Sequence, residues 1–212
     1  LLLEIIEERG FPCKTLKLLA SPRSVGSQIK SPKGKEYTVE LACPEAFNGI
    51  DIVFASAGSE VSKALAPEII KRGGVIIDNS SAFRMDSNVP LVVPEVNGED
   101  VAKHQGIIAN PNCSTAPLVL ALKPLDLKFN IKRVVVSTYQ SVSGAGKEAM
   151  DELVTASQKV INNAPAELYT LASSSRPSID KHEYQAFAHP IAFNLIPQID
   201  VFTENGYTKE EM

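Results

Sequence analysis

Hydrophobic and polar positions along the chain alternate between two periods. Apolar residues at 1, 2, 5 and 6 recur at helical spacing, and Gly10 and Pro12 end that first helix. Residues 16–20, Leu-Lys-Leu-Leu-Ala, read as a short buried strand that runs into the turn Ser21-Pro22-Arg23-Ser24-Val25-Gly26. Residues 37–41 alternate apolar with polar and predict an edge strand, whereas the continuous apolar run at 51–55 predicts a parallel strand covered on both faces. The loop Ser56-Ala57-Gly58-Ser59 opens a helix from Val61 to about Lys71, and Gly73-Gly74 breaks it before a buried strand at 75–77. Strands at 91–93 and 106–109, then a helix body at 118–122, continue the alternation. Alternating strands and helices of this kind predict an α/β fold with a doubly wound parallel sheet.

From Ile131 the pattern changes. Residues 134–139, Val-Val-Val-Ser-Thr-Tyr, form a longer β-branched run expected to be a strand of a separate sheet. A helix is expected over 147–160, a loop over 172–178 and a short extended stretch over 191–197. Thr208, followed three residues later by Glu211, fits the capping box of a further helix. A domain boundary is expected near 115–130, dividing an α/β domain over 1–115 from a second, α+β domain over 116–212, with no internal repeat.

Composition narrows the class. Of 212 residues, 44% are hydrophobic and 22% charged, which excludes disordered, collagen-like and coiled-coil chains. Lys and Arg number 21 against 25 Asp and Glu, a net charge of −4 without like-charged blocks, so no groove for nucleic acid is expected. The uncharged stretch 104–122 carries Asn110, Pro111, Asn112 and Pro117, so a membrane span is not expected there and the chain reads as soluble. Three cysteines are too sparse for a disulfide scaffold and point to a reducing, cytosolic compartment. The opening segment lacks a signal peptide's basic leader and cleavage site, and it reads as a helix already under way.

Four segments could carry chemistry. In Asn110-Pro111-Asn112-Cys113-Ser114-Thr115-Ala116-Pro117, Cys113 falls in the turn where a strand gives way to a helix. Unpaired amides and the helix dipole stabilise negative charge there, which suits a thiolate nucleophile; the plain alternative is a small thiol packed between helix and sheet. Asp78-Asn79-Ser80-Ser81-Ala82-Phe83-Arg84 follows a buried strand, at the end of the sheet where ligands bind, and Arg84 offers a bidentate fork for phosphate or carboxylate. Gln140-Ser141-Val142-Ser143-Gly144-Ala145-Gly146 allows close backbone approach, with Gln140 able to donate and accept. Ser21-Pro22-Arg23-Ser24 is either a plain basic turn after a strand or, if a dinucleotide binds, a cation with hydroxyls at the ribose, which favours a 2′-phosphate and hence NADP over NAD. Cys13 and Cys43 lack such a setting, and His104, His182 and His189 have no metal-ligand spacing, so no metal site is expected.

In order and spacing, these segments resemble aspartate-β-semialdehyde dehydrogenase of the bacterial and plant-like type. Phe54-Ala55-Ser56-Ala57-Gly58, Val93-Pro94-Glu95-Val96-Asn97 and Ile191-Ala192-Phe193-Asn194 extend the match. The resemblance implies a dinucleotide-binding domain followed by a catalytic and dimerisation domain. It also implies NADP-dependent conversion of L-aspartyl-4-phosphate to aspartate semialdehyde and phosphate in the aspartate-family pathways to lysine, diaminopimelate, methionine, threonine and isoleucine. By the same resemblance Cys113 is the nucleophile that forms a thioester. Gln140 orients the substrate, Arg84 and Asn112 contact its phosphate and carboxylate, and Glu210 pairs with its amine. Ser21, Arg23 and Ser24 hold the 2′-phosphate, while Ser56, Ala57, Gly58, Asn79, Ser143 and Gly144 line the rest of the cofactor.

Family members also begin with a strand and a glycine-rich pyrophosphate cradle before the point matching Leu1. They continue past Met212 to a lysine, a second arginine and the general acid/base histidine. The expectation is therefore the middle of a longer protein, inactive and poorly folded alone because a missing central strand exposes apolar edges. A cytoplasmic homodimer is expected, or a plastid one for a plant-like source. Two alternatives stand beside it: an N-acetyl-γ-glutamyl-phosphate reductase, disfavoured because an acetylated amine needs no acid partner, and a non-catalytic homologue, which the presence of Cys113 opposes.

Overall fold

The computed structural model describes residues 1–163 and 186–208. The chain divides into two compact units, Leu1–Val135 and Val136–Met212. In the first, helix α1 (Leu2–Glu8) precedes β1 (Leu18–Ala20), β2 (Gln28–Lys30), β3 (Glu36–Leu41), β4 (Ile52–Ala55) and α2 (Ser59–Lys71). Then come β5 (Val75–Asp78), the single turn α3 (Pro94–Asn97), β6 (Ile107–Ala109) and α4 (Thr115–Phe129). Strands β4, β5 and β6 form a parallel sheet in that order, with Ala55, Asp78 and Ala109 level at its carboxyl end. In the other sheet β3 lies between β1, parallel to it, and β2, antiparallel. The α/β class and parallel β4–β6 sheet agree with the periodicity; the mixed sheet adds an antiparallel strand.

Helix α2 covers the β4–β6 sheet because its small and apolar residues recur at helical spacing. Ser62, Ala66 and Ile69 are all buried on one stripe. Ala66 and Ile69 meet Phe47 and Ile76 in the core, with Leu19 of β1 and Phe83 packed against them, so both sheets contribute. Fully burying a side chain such as Ile76 is worth about 1.5–3 kcal/mol. Gly106 enters β6 at φ +97°, where a Cβ would sit 2.8 Å from Ile70 Cγ1, so the helix–sheet approach demands glycine.

Several expectations give way. Residues 36–41 are a central strand, not an edge, because Gln28–Lys30, too polar and short to read as a strand, pairs along their second side. Strand β4 is open on one face: Ile52 and Phe54 are 42% and 37% exposed, so its apolar run does not mark two covered faces. Residues 91–93 contribute only a bridge from Leu91 to Ala109, because Pro94 starts a helix at once. No strand forms over 134–139: Val134, Val135 and Val136 are 46%, 83% and 54% exposed. A β-branched run becomes a strand only with a neighbour to complete its ladder, and the described residues offer none.

In the second unit α5 (Lys147–Asn163) follows a 3-10 turn at Val142–Ala145, with Ala149 and Ala156 buried. Residues 191–194 make a turn rather than an extended stretch, with Asn194 N donating to Ile191 O at 3.1 Å and Phe193 at φ 53°. The expected loop at 172–178 and the capping partner Glu211 lie outside the described residues. No helix among them is long and apolar enough to cross a membrane.

Candidate active site

The carboxyl end of the parallel sheet gathers three loops. The first, Ser56-Ala57-Gly58, leaves β4 and is exposed, and Gly58 turns the chain into α2 at φ +92°. The second, residues 79–84, leaves β5. Ser59 and Ser81 hydroxyls share a hydrogen bond of 3.1 Å, which brings the start of α2 against this second loop. The third, Asn110 to Ser114, leaves β6 and leads into α4.

Cys113 lies in that third loop, exposed to solvent and two residues ahead of α4. It is not sealed in the interior. Its turn is built by Asn112, whose Oδ1 accepts from Ser114 N (2.8 Å) and Ser114 Oγ (2.6 Å). The Asn112 carbonyl takes the amides of Thr115 and Ala116 at 3.1 and 3.2 Å. An Asx turn of this kind satisfies donors that a helix start leaves over, which is why Asn rather than an apolar residue precedes the cysteine. Pro117 falls in the first turn of α4, where no amide is needed.

Arg84 joins the second loop to the third. Its Nε donates to the Asn110 carbonyl (2.9 Å) and one Nη to the Asn79 carbonyl (3.0 Å). These use two of the five N–H donors of a guanidinium, and the others are available to an anion. Asn110 Nδ2 donates to Asn79 Oδ1 (2.8 Å), and Asn110 N to the Asp78 carbonyl (2.8 Å). Arg84, Asn79, Asn112 and Cys113 are therefore connected within one unit.

The Ser21–Arg23–Ser24 turn follows β1 as a short 3-10 helix, with Ser21 and Arg23 exposed and Ser24 half-buried. Arg23 forms no ion pair among the described residues. Gln140, Ser143 and Gly144 belong to the second unit. There Gln140 Nε2 donates to Thr138 Oγ1 (3.3 Å), and Ser141 Oγ accepts from Ser143 N (3.3 Å) to shape the Gly144 turn. Glu210 lies outside the described residues. Among the described residues no three His, Cys, Asp or Glu side chains gather as a metal site.

Ser62 draws no attention in the sequence, and Asp78, although it opens the second segment, has no role of its own there. Asp78 and Ser62 are fully buried and hydrogen-bonded to each other. The signal was present in Ser62, a hydroxyl on the apolar stripe of α2 that implies a buried polar partner.

Comparison with known proteins fits this arrangement. Residues 1–104 match the semialdehyde dehydrogenase NAD-binding domain, and residues 122–212 match the semialdehyde dehydrogenase dimerisation domain. Aspartate-semialdehyde dehydrogenase of Bacillus subtilis is 52% identical over 211 residues, covering 100% of this chain and 58% of that protein. The chain belongs to the aspartate-semialdehyde dehydrogenase family. A second family member, from Aquifex aeolicus, is 53% identical, covering 99% of this chain and 58% of its own length. The crystal structure of aspartate semialdehyde dehydrogenase II from Vibrio cholerae, complexed with ASA, superposes with a TM-score of 0.84 at 45% identity, over 99% of this chain and 58% of that one. The chain thus spans a little over half the length of these aspartate-semialdehyde dehydrogenases.

Proposed function

We propose that the protein containing this chain reduces L-aspartyl-4-phosphate to L-aspartate 4-semialdehyde with NADPH, releasing phosphate, by way of a thioester on Cys113. The observation that carries this reading is the exposed Cys113 turn at the carboxyl end of a parallel sheet, tied through Asn110 to Arg84 and Asn79. Residues 1–115 would serve the cofactor and 116–212 catalysis and dimerisation, in a cytoplasmic homodimer.

The residues present fit a phosphorylated dinucleotide. Arg23 is an exposed cation beside two hydroxyls at the end of β1, and Gly58 opens α2 at the end of β4. Ser21, Arg23 and Ser24 would hold the 2′-phosphate; Ser56, Ala57, Gly58, Asn79, Ser143 and Gly144 would border the remainder. When bound, NADPH supplies the hydride.

On this reading the Cys113 sulfur attacks the acyl carbon, the carbon–oxygen bond to phosphate breaks, and phosphate leaves with the bonding pair. After reduction, the carbon–sulfur bond breaks to release the aldehyde and return the thiolate. Arg84 stabilises the departing anion through its uncommitted N–H groups, and Gln140 orients the acyl group. Asn112 contacts the substrate carboxylate and Glu210 its amine.

The test is an assay of the full-length protein in the reverse direction, with aspartate semialdehyde, phosphate and NADP, following NADPH. Phosphate-dependent turnover supports the reading. Preference for N-acetylglutamate semialdehyde would reassign the substrate, and no turnover with either would leave the fold without this chemistry.

A further inference from the structure

Asp78 is fully buried, and among the described residues no Lys, Arg or His side chain pairs with it. An acid at such a position is costly unless its acceptor capacity is used. Here it is used by three donors from two elements. Ser62 Oγ on α2 donates to Oδ1 (2.6 Å), Ser80 N donates to the same oxygen (3.2 Å), and Ser80 Oγ donates to Oδ2 (2.7 Å). Ser80 Oγ in turn accepts from Ala82 N (3.1 Å), so the carboxyl group sets the path of the loop through Ser80 and Ala82 towards Arg84. Arg84 then holds the Asn110 carbonyl, three residues before Cys113. An amide or hydroxyl of similar size at position 78 could not accept from all three donors in the same way.

We infer that Asp78 is a positioning residue: through Ser80 it fixes the 79–84 loop so that Arg84 and the Cys113 turn keep their mutual placement. This deepens the proposed function and rests on it. Asp78 touches no reacting atom; it acts through Ser80 and Arg84. The bond to Ser62 anchors the same carboxyl group to α2, away from the loop, which gives an internal control.

The experiment uses the full-length enzyme with Ser80→Ala, Ser80→Thr, Ser62→Ala and Asp78→Asn. It measures kcat and KM, melting temperature, and the rate at which iodoacetamide alkylates Cys113, read by peptide mass. Ser80→Ala is expected to lower kcat by about tenfold to a hundredfold, the scale of a slightly misplaced reacting group, with KM for NADP little changed. Cys113 alkylation should change with it, and Ser80→Thr should restore both. Ser62→Ala should lower the melting temperature while leaving kcat and alkylation near wild type, and Asp78→Asn should show both kinds of defect. Wild-type kcat and alkylation in Ser80→Ala would overturn the inference, as would losses in Ser62→Ala that match those of Ser80→Ala. Absence of turnover in the wild type would instead reject the proposed function, and the alkylation rates would still decide the role of Asp78.

Discussion

Replacing Arg84 with Lys keeps the charge and removes the fork. In the structure the guanidinium spans two backbone carbonyls, Asn110 at 2.9 Å through Nε and Asn79 at 3.0 Å through Nη. An ammonium is a single point of donation and cannot reach both with that geometry, so one charge-assisted bond is lost. The Asn110 bond is the partly buried one, and its loss costs about 1.5 kcal/mol, the lower end for hydrogen bonds to charged groups. In a protein of this size or larger that corresponds to a fall in melting temperature of about 3 °C. Turnover should suffer more than stability. The loop that loses its tie leads directly to Cys113, and small displacements of a reacting group cost up to about a hundredfold. Differential scanning calorimetry and steady-state kinetics on full-length Arg84→Lys measure both quantities. Equal melting temperature together with equal kcat would refute the view that the two carbonyl contacts hold these loops together.

Cys113→Ser should abolish phosphate-dependent NADP reduction by at least about a thousandfold while the fold persists, since serine keeps the volume and loses the thiolate; retained turnover in the same assay would exclude the thioester route. Arg23→Ala should raise KM for NADP by about tenfold with little change for NAD, as expected for one partly solvated contact to phosphate, and initial rates with each cofactor test it. Ile76→Ala, at a side chain with no exposed surface, should destabilise by about 2–5 kcal/mol in chemical denaturation. Asp100 is held below the ordinary carboxylate range, first by the Lys103 ammonium and then by the Asn97 amide. A lowered folded-state value means that its stabilising contribution is present above the unfolded aspartate range and disappears as pH falls through the folded one, so Asp100→Asn should flatten the acid side of a stability profile.

What the chain carries in itself is local. The helix at 59–71, the strands around 52–55 and 75–78, and the cysteine turn ahead of α4 were legible because each depends on neighbours within a few residues: an apolar period, a glycine stop, a proline tolerated in a first turn. The order of the motifs likewise sufficed to indicate the family. Tertiary structure decided the remainder. Residues 36–41 became a central strand because a polar segment paired with them, and the valines at 134–136 pair in no ladder among the described residues. Arg84 looks from the sequence like an anion ligand, yet two of its donors are spent on carbonyls, one of them 26 residues away. Asp78 looks like the polar end of a strand, and is a buried acceptor shared by a helix and a loop. Periodicity reports which face of an element is apolar; which distant group meets a particular donor or acceptor is settled only when the elements pack.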